Sequence, residues 1–262
     1  MVDNSIDNNL YLARICHLSG LSEETLKYIE EVIKLKNGDL TDEERNLLFS
    51  SLKKLINFRR ESWRTVNALE SKEIKNQSSL LPRVTQLKQS LVEEIKQYVN
   101  KGIKLIDNYL FKSAKTDELK LIYSKTKGDY IRYIIELTPK EKEEEINLLK
   151  EQADDNYRIA LSKCYVLSDL NTNKIGLFLN YTVFLYEIMK DYKNAYIIAN
   201  NAYEKTMKTI NDENIDITLQ KDLNNLINLI KDNVTKWSEN LIQDNFENLS
   251  NELSPINPKP ST

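Results

Sequence analysis

The sequence predicts an all-α protein of about nine helices, and three observations support this. The chain has 262 residues but only five glycines and five prolines, so it contains few of the residues that tight turns and hairpins require. Three of the prolines, Pro255, Pro258 and Pro260, lie within the last eight residues. Apolar residues recur at helical spacing along most of the chain, and with 40% hydrophobic residues the helices can bury a large core.

The first three helices are predicted from their start and stop signals. Ranges of about 5–18 and 22–36 precede the sequence NGD at 37–39, which predicts a break. Thr41 and Glu44 then have the spacing of a capping box, in which each side chain accepts a hydrogen bond from the backbone N–H of the other residue. We expect the third helix to run from there to about residue 70.

Six further helices complete the predicted fold. Pro139 is expected at the first position of its helix, where the missing N–H costs nothing. The predicted ranges are about 80–111, 117–137, 139–165, 173–190, 192–209 and 217–242. We expect one helical domain over residues 1–240 and a flexible, polar, proline-rich tail over residues 241–262.

The overall composition argues against several function classes. The formal net charge is -3, whereas binding to nucleic acid or to a membrane surface normally needs a basic excess. The sequence shows neither an apolar leader nor an apolar run long enough to span a bilayer. Cys16 and Cys164 form no CxxC motif. We therefore expect a cytoplasmic protein in a reducing compartment that binds neither nucleic acid nor membranes.

The sequence also argues against an enzyme. His17 is the only histidine, so general-base triads and zinc clusters lack their usual parts. Asp154 and Asp155 are similar to the metal-binding aspartates of helical isoprenoid enzymes, but Arg158 follows where a further acid is needed. A lipid- or isoprenoid-processing enzyme is therefore the third-ranked hypothesis, and no catalytic residue, metal or cofactor is expected.

A basic stripe is predicted on the third helix, where FRRESWR occupies residues 58–64. At about 100° per residue, Arg60 and Arg64 each lie within roughly 20° of Lys53 around the helix. Arg59 is expected to point elsewhere, and Trp63 is expected in the core. Taken alone, such a stripe is typical of a solvated helix face.

A second basic pair makes a binding role more attractive. The sequence KTKGDYIRYIIEL places Lys125 and Arg132 seven residues apart on one helix face, with Asp129 between them and Tyr133 beside Arg132. Paired guanidinium groups and a tyrosine hydroxyl suit a phosphate dianion.

Two later segments, LFLNYTVFLYE and KDNVTKW, each carry an asparagine. In the first, Asn180 shares a helix face with Glu187, and Leu179 and Val183 lie on an adjoining face. In the second, Asn233 shares a face with Trp237. Side-chain amides suit an extended peptide backbone because they both donate and accept hydrogen bonds. The residues concerned are Leu179, Asn180, Val183, Glu187, Asn233 and Trp237.

With these motifs the chain resembles the 14-3-3 family from about Leu40 to Trp237. The matching segments are TDEERNLL, FRRESWR, KGDYIRY, GLFLNYTVFLYEI and DNVTKW. The resemblance implies a cup-shaped protomer of nine antiparallel helices, usually dimeric, with an amphipathic groove. It also implies an adaptor without enzymatic activity that binds phosphoserine or phosphothreonine segments of client proteins.

The resemblance further implies roles for individual residues. The implied phosphate-binding residues are Lys53, Arg60, Arg132 and Tyr133, with Arg64 in the same stripe. The implied residues of the peptide-binding groove are Asn180 and Asn233 for the peptide backbone, Glu187 and Trp237 beside them, and Leu179, Val183, Leu226 and Leu229 for the apolar wall.

Several features depart from the family pattern. RNLLFSSLKK stands where the family reads RNLLSVAYKN, which keeps the pocket lysine. The acidic, tyrosine-containing signature that forms intersubunit salt bridges in the family is not reproduced in ICHLSGLSEETLKYIEEV. We therefore expect a homodimer weaker than the family norm, formed by apolar contacts of Leu10, Ile15, Leu18 and Leu21. Ser62 matches a family serine at the dimer interface.

The chain end suggests a self-ligand, since Ser261 lies one residue before the carboxylate, a position at which the family recognises phosphoserine. A tethered tail phosphorylated there would compete with clients. The second-ranked function is a helical scaffold that binds partners without reading phosphate.

Overall fold

The computed structural model describes residues 5–216 and 220–252, with side chains described as far as residue 241. This part of the chain forms nine continuous helices, so the all-α prediction is confirmed. The described residues divide into two compact units, one up to residue 156 and one from residue 157 onwards. None of the described helices is long and apolar enough to cross a membrane.

The first unit contains five helices and the first part of a sixth. The five are α1 (Ile6–Leu18), α2 (Ser22–Leu35), α3 (Asp42–Lys75), α4 (Leu81–Leu105) and α5 (Asp117–Leu137). Helix α4 continues without a break through a π-helical turn, Ile106–Leu110, and a short α-helical segment, Phe111–Ser113.

The start of α3 confirms the predicted capping box. The Thr41 hydroxyl accepts a hydrogen bond from the Glu44 N–H at 3.3 Å, and the Glu44 carboxylate accepts one from the Thr41 N–H at 2.8 Å. Asn37 and Gly38 have positive φ angles of 48° and 83°, a conformation that ends a helix. The predicted break is therefore present, whereas α3 runs on to Lys75, beyond its predicted end.

The core of the first unit fixes α5 against α4. A Cβ atom on Gly102 of α4 would lie 2.5 Å from Cε2 of Tyr130 on α5, and the Tyr130 side chain is buried in the core. Only glycine allows this close approach. Helix α5 is therefore held where it presents Arg132 and Tyr133.

The second unit contains the end of α6 and three further helices. Helix α6 (Glu143–Lys163) runs into a 3-10 turn, Cys164–Val166. Helix α7 (Thr172–Val183) continues as a π-helical segment, Phe184–Met189, and is followed by α8 (Tyr192–Asp212) and α9 (Lys221–Glu252). Helices α7, α8 and α9 pack against one another.

The predicted start of α6 at Pro139 is wrong. The Thr138 hydroxyl donates to the Ile134 carbonyl of α5 at 2.8 Å, so it does not cap α6. Pro139 instead opens a turn, in which its carbonyl accepts from the Lys142 N–H at 3.0 Å. Helix α6 begins at Glu143, where acidic residues in the first turn interact favourably with the helix dipole.

Helix α9 also differs from its prediction of about 217–242. Residues 217–219 lie outside the described residues, and the helix starts at Lys221 and reaches Glu252. It thus extends into the range 241–262 for which a flexible tail is predicted. The last ten residues, with Ser261 among them, lie outside the described residues.

Candidate functional site

Helices α3 and α5 bring three arginines together in the first unit. Arg60 and Arg64 lie one turn apart on α3, and Arg132 lies on α5. The side chains of Arg60 and Arg132 are each 11% exposed, whereas that of Arg64 is 60% exposed. With Tyr133 and Glu136 they form what is called here the basic cluster.

All three guanidinium groups of the cluster contact the carboxylate of Glu136. Arg60 Nη2 lies 2.5 Å from Oε2, and Arg132 Nη1 lies 3.0 Å from Oε1. Arg64 Nη2 lies 3.6 Å from Oε2. Because like charges repel strongly where water is scarce, the carboxylate allows these cations to stay close together.

Glu136 is a site residue that the sequence analysis missed. One available signal was its position four residues after Arg132, which brings the two side chains together on one helix face. Its pairing with Arg60, 76 residues earlier in the chain, depends on the packing of α5 beside α3 and could not be found from local spacing.

Both buried arginines lie against the ring of Tyr133. The guanidinium carbon of Arg60 is 3.8 Å from the centre of the Tyr133 ring, and that of Arg132 is 4.9 Å from it. Both distances are within the range of a cation–π interaction. Burial raises the pKa of the Tyr133 hydroxyl, so this group is protonated at neutral pH and can donate a hydrogen bond to an anion.

The two predicted lysines stand apart from this arrangement. Lys53 is exposed and forms no ion pair with any described residue. It lies two turns before Arg60, about 10 Å along the axis of α3. Lys125 pairs with the buried carboxylate of Asp129 at 2.9 Å, so its charge is compensated.

The remaining residues of FRRESWR behave as the sequence predicts. Arg59 points away from the basic cluster, with its guanidinium 2.6 Å from Glu94 and 2.8 Å from Glu23. Trp63 packs, partly buried, against the core of the first unit. Within FRRESWR, only Arg60 and Arg64 therefore belong to the cluster.

The charge of the cluster determines which ligand it can take. Three guanidinium groups against one carboxylate leave a formal charge of +2. Guanidinium groups form forked hydrogen bonds that match the oxygens of phosphate. The cluster is therefore suited to a phosphate dianion, with the Tyr133 hydroxyl as a further donor.

The second unit carries the predicted peptide-facing residues of α7. Leu179, Asn180 and Val183 are half-buried on the α-helical part, and Glu187 is exposed in the π-helical segment. On α9, Asn233 and Leu226 are half-buried, and Leu229 is 51% exposed. The second unit therefore presents amide and apolar side chains on two of its helices.

Trp237 occupies a different environment from its predicted place in the groove. Its side chain is only 5% exposed, and its ring stacks on that of Tyr186 at 4.5 Å with an interplanar angle of 9°. The Tyr186 hydroxyl accepts a hydrogen bond from the Asn240 side-chain amide at 2.7 Å. Trp237 thus packs α9 against the π-helical segment of α7.

Tyr186 is the second residue that the sequence analysis missed. It lies one residue before Glu187, and the π-helical segment turns its ring towards Trp237. A regular 3.6-residue period does not predict where side chains of a π-helix point.

Among the described residues, no group of three or more histidine, cysteine, aspartate or glutamate side chains is placed to hold a metal ion.

An all-α chain with an arginine–tyrosine cluster in one unit and amide-bearing helices in the other defines a class of helical proteins equipped to bind phosphorylated peptides. The model of the 14-3-3 protein family matches residues 12–238, and the chain belongs to the 14-3-3 family. Proteins of this family are adaptors rather than enzymes, bind phosphorylated client proteins and form dimers.

Curated relatives are about 30% identical over nearly the whole chain. The chain is 29% identical to 14-3-3 protein 2 of Entamoeba histolytica over 92% of this chain and 99% of that protein. It is 30% identical to 14-3-3-like protein A of Hordeum vulgare over 97% and 95% of the two chains. It is 31% identical to 14-3-3 protein 3 of Entamoeba histolytica over 89% and 96%. The chain is thus a divergent member of the family.

Proposed function

We propose that this protein is an adaptor that regulates client proteins by binding segments phosphorylated on serine or threonine, with the phosphate in the basic cluster. The observation that carries the proposal is the convergence of Arg60, Arg64 and Arg132 on one carboxylate beside Tyr133. A phosphorylated side chain has a charge of about -2 at pH 7, which matches the formal charge of the cluster.

The buried members of the cluster would make the direct contacts. Arg60 and Arg132 donate N–H groups to the phosphate oxygens, and Tyr133 donates its hydroxyl. Arg64 is the most exposed of the three arginines in the cluster and the furthest from Glu136, so its side chain can move towards the ligand at the least cost. Lys53 adds positive charge two turns before Arg60 and favours approach of the anion.

The second unit would supply contacts to the peptide backbone and side chains. Asn180 and Asn233 exchange hydrogen bonds with the peptide backbone, and the exposed Glu187 accepts from a peptide N–H. The apolar wall consists of Leu179, Val183, Leu226 and Leu229. Trp237 acts indirectly, since its ring fixes Tyr186 in the segment that carries Glu187.

Calorimetric titration tests the phosphate site. A peptide Arg-Ser-x-pSer-x-Pro should bind, and its unphosphorylated twin should bind far more weakly. Each charge-assisted hydrogen bond to phosphate contributes about 1.5 to 3 kcal/mol, so Arg60→Ala and Arg132→Ala should each weaken binding about tenfold or more. The matched control is Arg83→Ala, which removes an exposed arginine of α4 outside the cluster.

The titration also distinguishes the competing function. A scaffold that does not read phosphate would bind both peptides equally and would lose nothing on substitution of Arg60 or Arg132. Parent-like binding by both variants would show that the phosphate site is assigned to the wrong residues.

We propose that the dimer is weaker than is usual in the family. It would be formed by apolar contacts of α1 and of the residues directly after it. Three of the four predicted residues are exposed: Ile15 by 42%, Leu18 by 86% and Leu21 by 54%. Leu10 is partly buried against the core of its own unit, which leaves less of its side chain for a partner.

Sedimentation at low micromolar concentration tests the dimer. Leu18→Asp should shift the protein towards monomer, whereas Leu148→Asp, at a 57% exposed position of α6, should not. A parent dimer that persists at nanomolar concentration would contradict a weak interface.

Two further proposals follow the family pattern. Phosphorylation of Ser261, which lies outside the described residues, would make the tail a competitor for clients. A pSer261 tail peptide that fails to bind protein truncated after Asn240 would refute this.

A cytoplasmic location, general in the family, is tested by imaging the tagged protein.

A further inference from the structure

The second unit contains a cavity away from the residues proposed to hold peptide. Its volume is about 230 Å³, and it lies between the 3-10 turn after α6, the first turns of α7 and the middle of α8. That volume equals about eight molecules of liquid water. The side chains that decide its chemistry are Cys164, Lys174, Ile175, Phe178, Ala202 and Lys205.

The inner part of the cavity is mainly apolar, and the buried Thr206 hydroxyl that also lines it already donates to the Ala202 carbonyl at 2.9 Å. Cys164 and Ile175 are each 2% exposed, and Ala202 is 8% exposed. Burial raises the pKa of the Cys164 thiol, so the sulfur is uncharged at neutral pH. Phe178 is half-buried and contributes the face or edge of a ring. Sulfur and aromatic groups both favour an aromatic ring as their neighbour.

The outer part of the cavity has one excess positive charge. The Lys174 ammonium donates to Asp169 at 2.8 Å and to the Leu167 carbonyl at 2.9 Å, which leaves one of its three N–H donors for a ligand. Lys205 is exposed and forms no ion pair with any described residue. Two lysines and one aspartate give a formal charge of +1, which a single negative charge neutralises.

The cavity lies on a different face of α7 from the peptide-facing residues. At 100° per residue, the positions of Lys174, Ile175 and Phe178 point on average about 165° away from those of Asn180 and Val183. A ligand in the cavity and a peptide on the other face of the helix would therefore not compete for the same side chains.

We propose that this cavity binds a small aromatic monocarboxylate. The ring lies between Phe178 and the Cys164 sulfur. The carboxylate pairs with the Lys205 ammonium and takes the remaining N–H of Lys174. A phosphate dianion is a poorer match, because its charge exceeds that of the site and no guanidinium fork is present.

Chemical-shift titration of the ¹⁵N-labelled full-length protein with 3-phenylpropanoate tests the proposal. Amide signals of residues 175, 178, 202 and 205 should shift together, with a dissociation constant in the millimolar range for a ligand of about eleven non-hydrogen atoms. The neutral 3-phenylpropanamide should bind about threefold more weakly or worse, since it lacks the ion pair.

A pair of lysine variants on α8 identifies the carboxylate partner. Lys205→Gln should weaken 3-phenylpropanoate binding about threefold, whereas Lys208→Gln, an exposed residue of α8 that does not line the cavity, should leave it unchanged. In a Cys16→Ser background, 3-phenylpropanoate should also slow alkylation of Cys164 by iodoacetamide.

The outcomes separate this proposal from the phosphopeptide function. Arg60→Ala should retain carboxylate binding in the cavity while it loses phosphopeptide binding. Three results would overturn the proposal: no shifts at the cavity residues, equal binding of carboxylate and amide, or equal effects of the two lysine substitutions. Shifts confined to the basic cluster would show that the probe is merely an anion at the phosphate site.

Discussion

The basic cluster of the first unit and the Trp237–Tyr186 contact of the second unit are built in opposite ways. The cluster gathers like charges, and one carboxylate, Glu136, compensates them. In the second unit, aromatic packing connects two helices, because the Trp237 ring stacks on the Tyr186 ring. A charge-compensated site is sensitive to the gain or loss of one ion, whereas an aromatic stack is sensitive to lost contact area. The two regions should therefore respond to different kinds of substitution.

Trp237→Ala should give the largest loss of stability among these tests. Removal of a 5% exposed tryptophan that stacks on a neighbouring ring should lower the free energy of unfolding by about 3 kcal/mol. Urea denaturation measures this, and Trp237→Phe should recover most of the loss. Stabilisation by added inorganic phosphate should survive in both variants. Loss of that stabilisation would show that the two regions are not separable.

Glu136→Ala should lower stability by a smaller amount, about 2 kcal/mol, because it leaves the cations of Arg60 and Arg132 partly buried and uncompensated. Inorganic phosphate should restore more stability in this variant than in the parent, since the anion replaces the lost carboxylate. Thermal unfolding with and without phosphate measures both effects. Glu141→Ala, at an exposed position, is the control, and an equal effect of the two substitutions would argue against the compensation.

Gly102→Ala should cost about 1 kcal/mol, as the crowding of Tyr130 outweighs the better helix propensity of alanine. Because α5 carries Arg132 and Tyr133, phosphopeptide affinity should fall as well. Asn100→Ala, at an exposed position of α4, controls for the helix itself. An unchanged affinity in Gly102→Ala would mean that the cluster tolerates a shift of α5.

Tyr133→Phe should weaken phosphopeptide binding about tenfold, the loss of one hydrogen bond to a charged group. Burial raises the pKa of Tyr133 above its ordinary value, so its hydroxyl stays protonated and parent binding should not fall between pH 7.5 and 9. Binding should weaken below about pH 6, where the phosphate takes up a proton. Calorimetry across this range checks both limits, and a decline that begins at pH 8 would exclude Tyr133 as the donor.

Local rules predicted much of this fold because its helices begin and end at strong signals. The capping box at Thr41 needs only residues three apart, and the break at Asn37 and Gly38 needs only positive φ angles. The helix start predicted at Pro139 was wrong because a proline at a helix start and a proline in the preceding turn have the same local sequence pattern. The Thr138 hydroxyl donates a hydrogen bond to a carbonyl of α5 and does not cap the next helix, so Pro139 lies in the turn before that helix.

The candidate site was predicted less completely, for two physical reasons. The arginines were found through helical spacing and family resemblance, but their common partner Glu136 is set by the packing of α5 beside α3. Tyr186 was missed because a π-helical segment shifts the direction of side chains away from the regular helical period. Both residues depend on tertiary structure that a single sequence does not contain.

The carboxylate at the centre of the basic cluster has a consequence for acidic mimics of phosphorylation. Glu136 already supplies the cluster with one negative charge and two acceptor oxygens at hydrogen-bond distance from Arg60 and Arg132. A client with aspartate or glutamate in place of the phosphorylated serine would offer only one carboxylate, the same group that Glu136 already provides. A phosphate differs because it brings about twice the charge and three oxygens. Clients altered in this way should therefore behave as if they were unmodified.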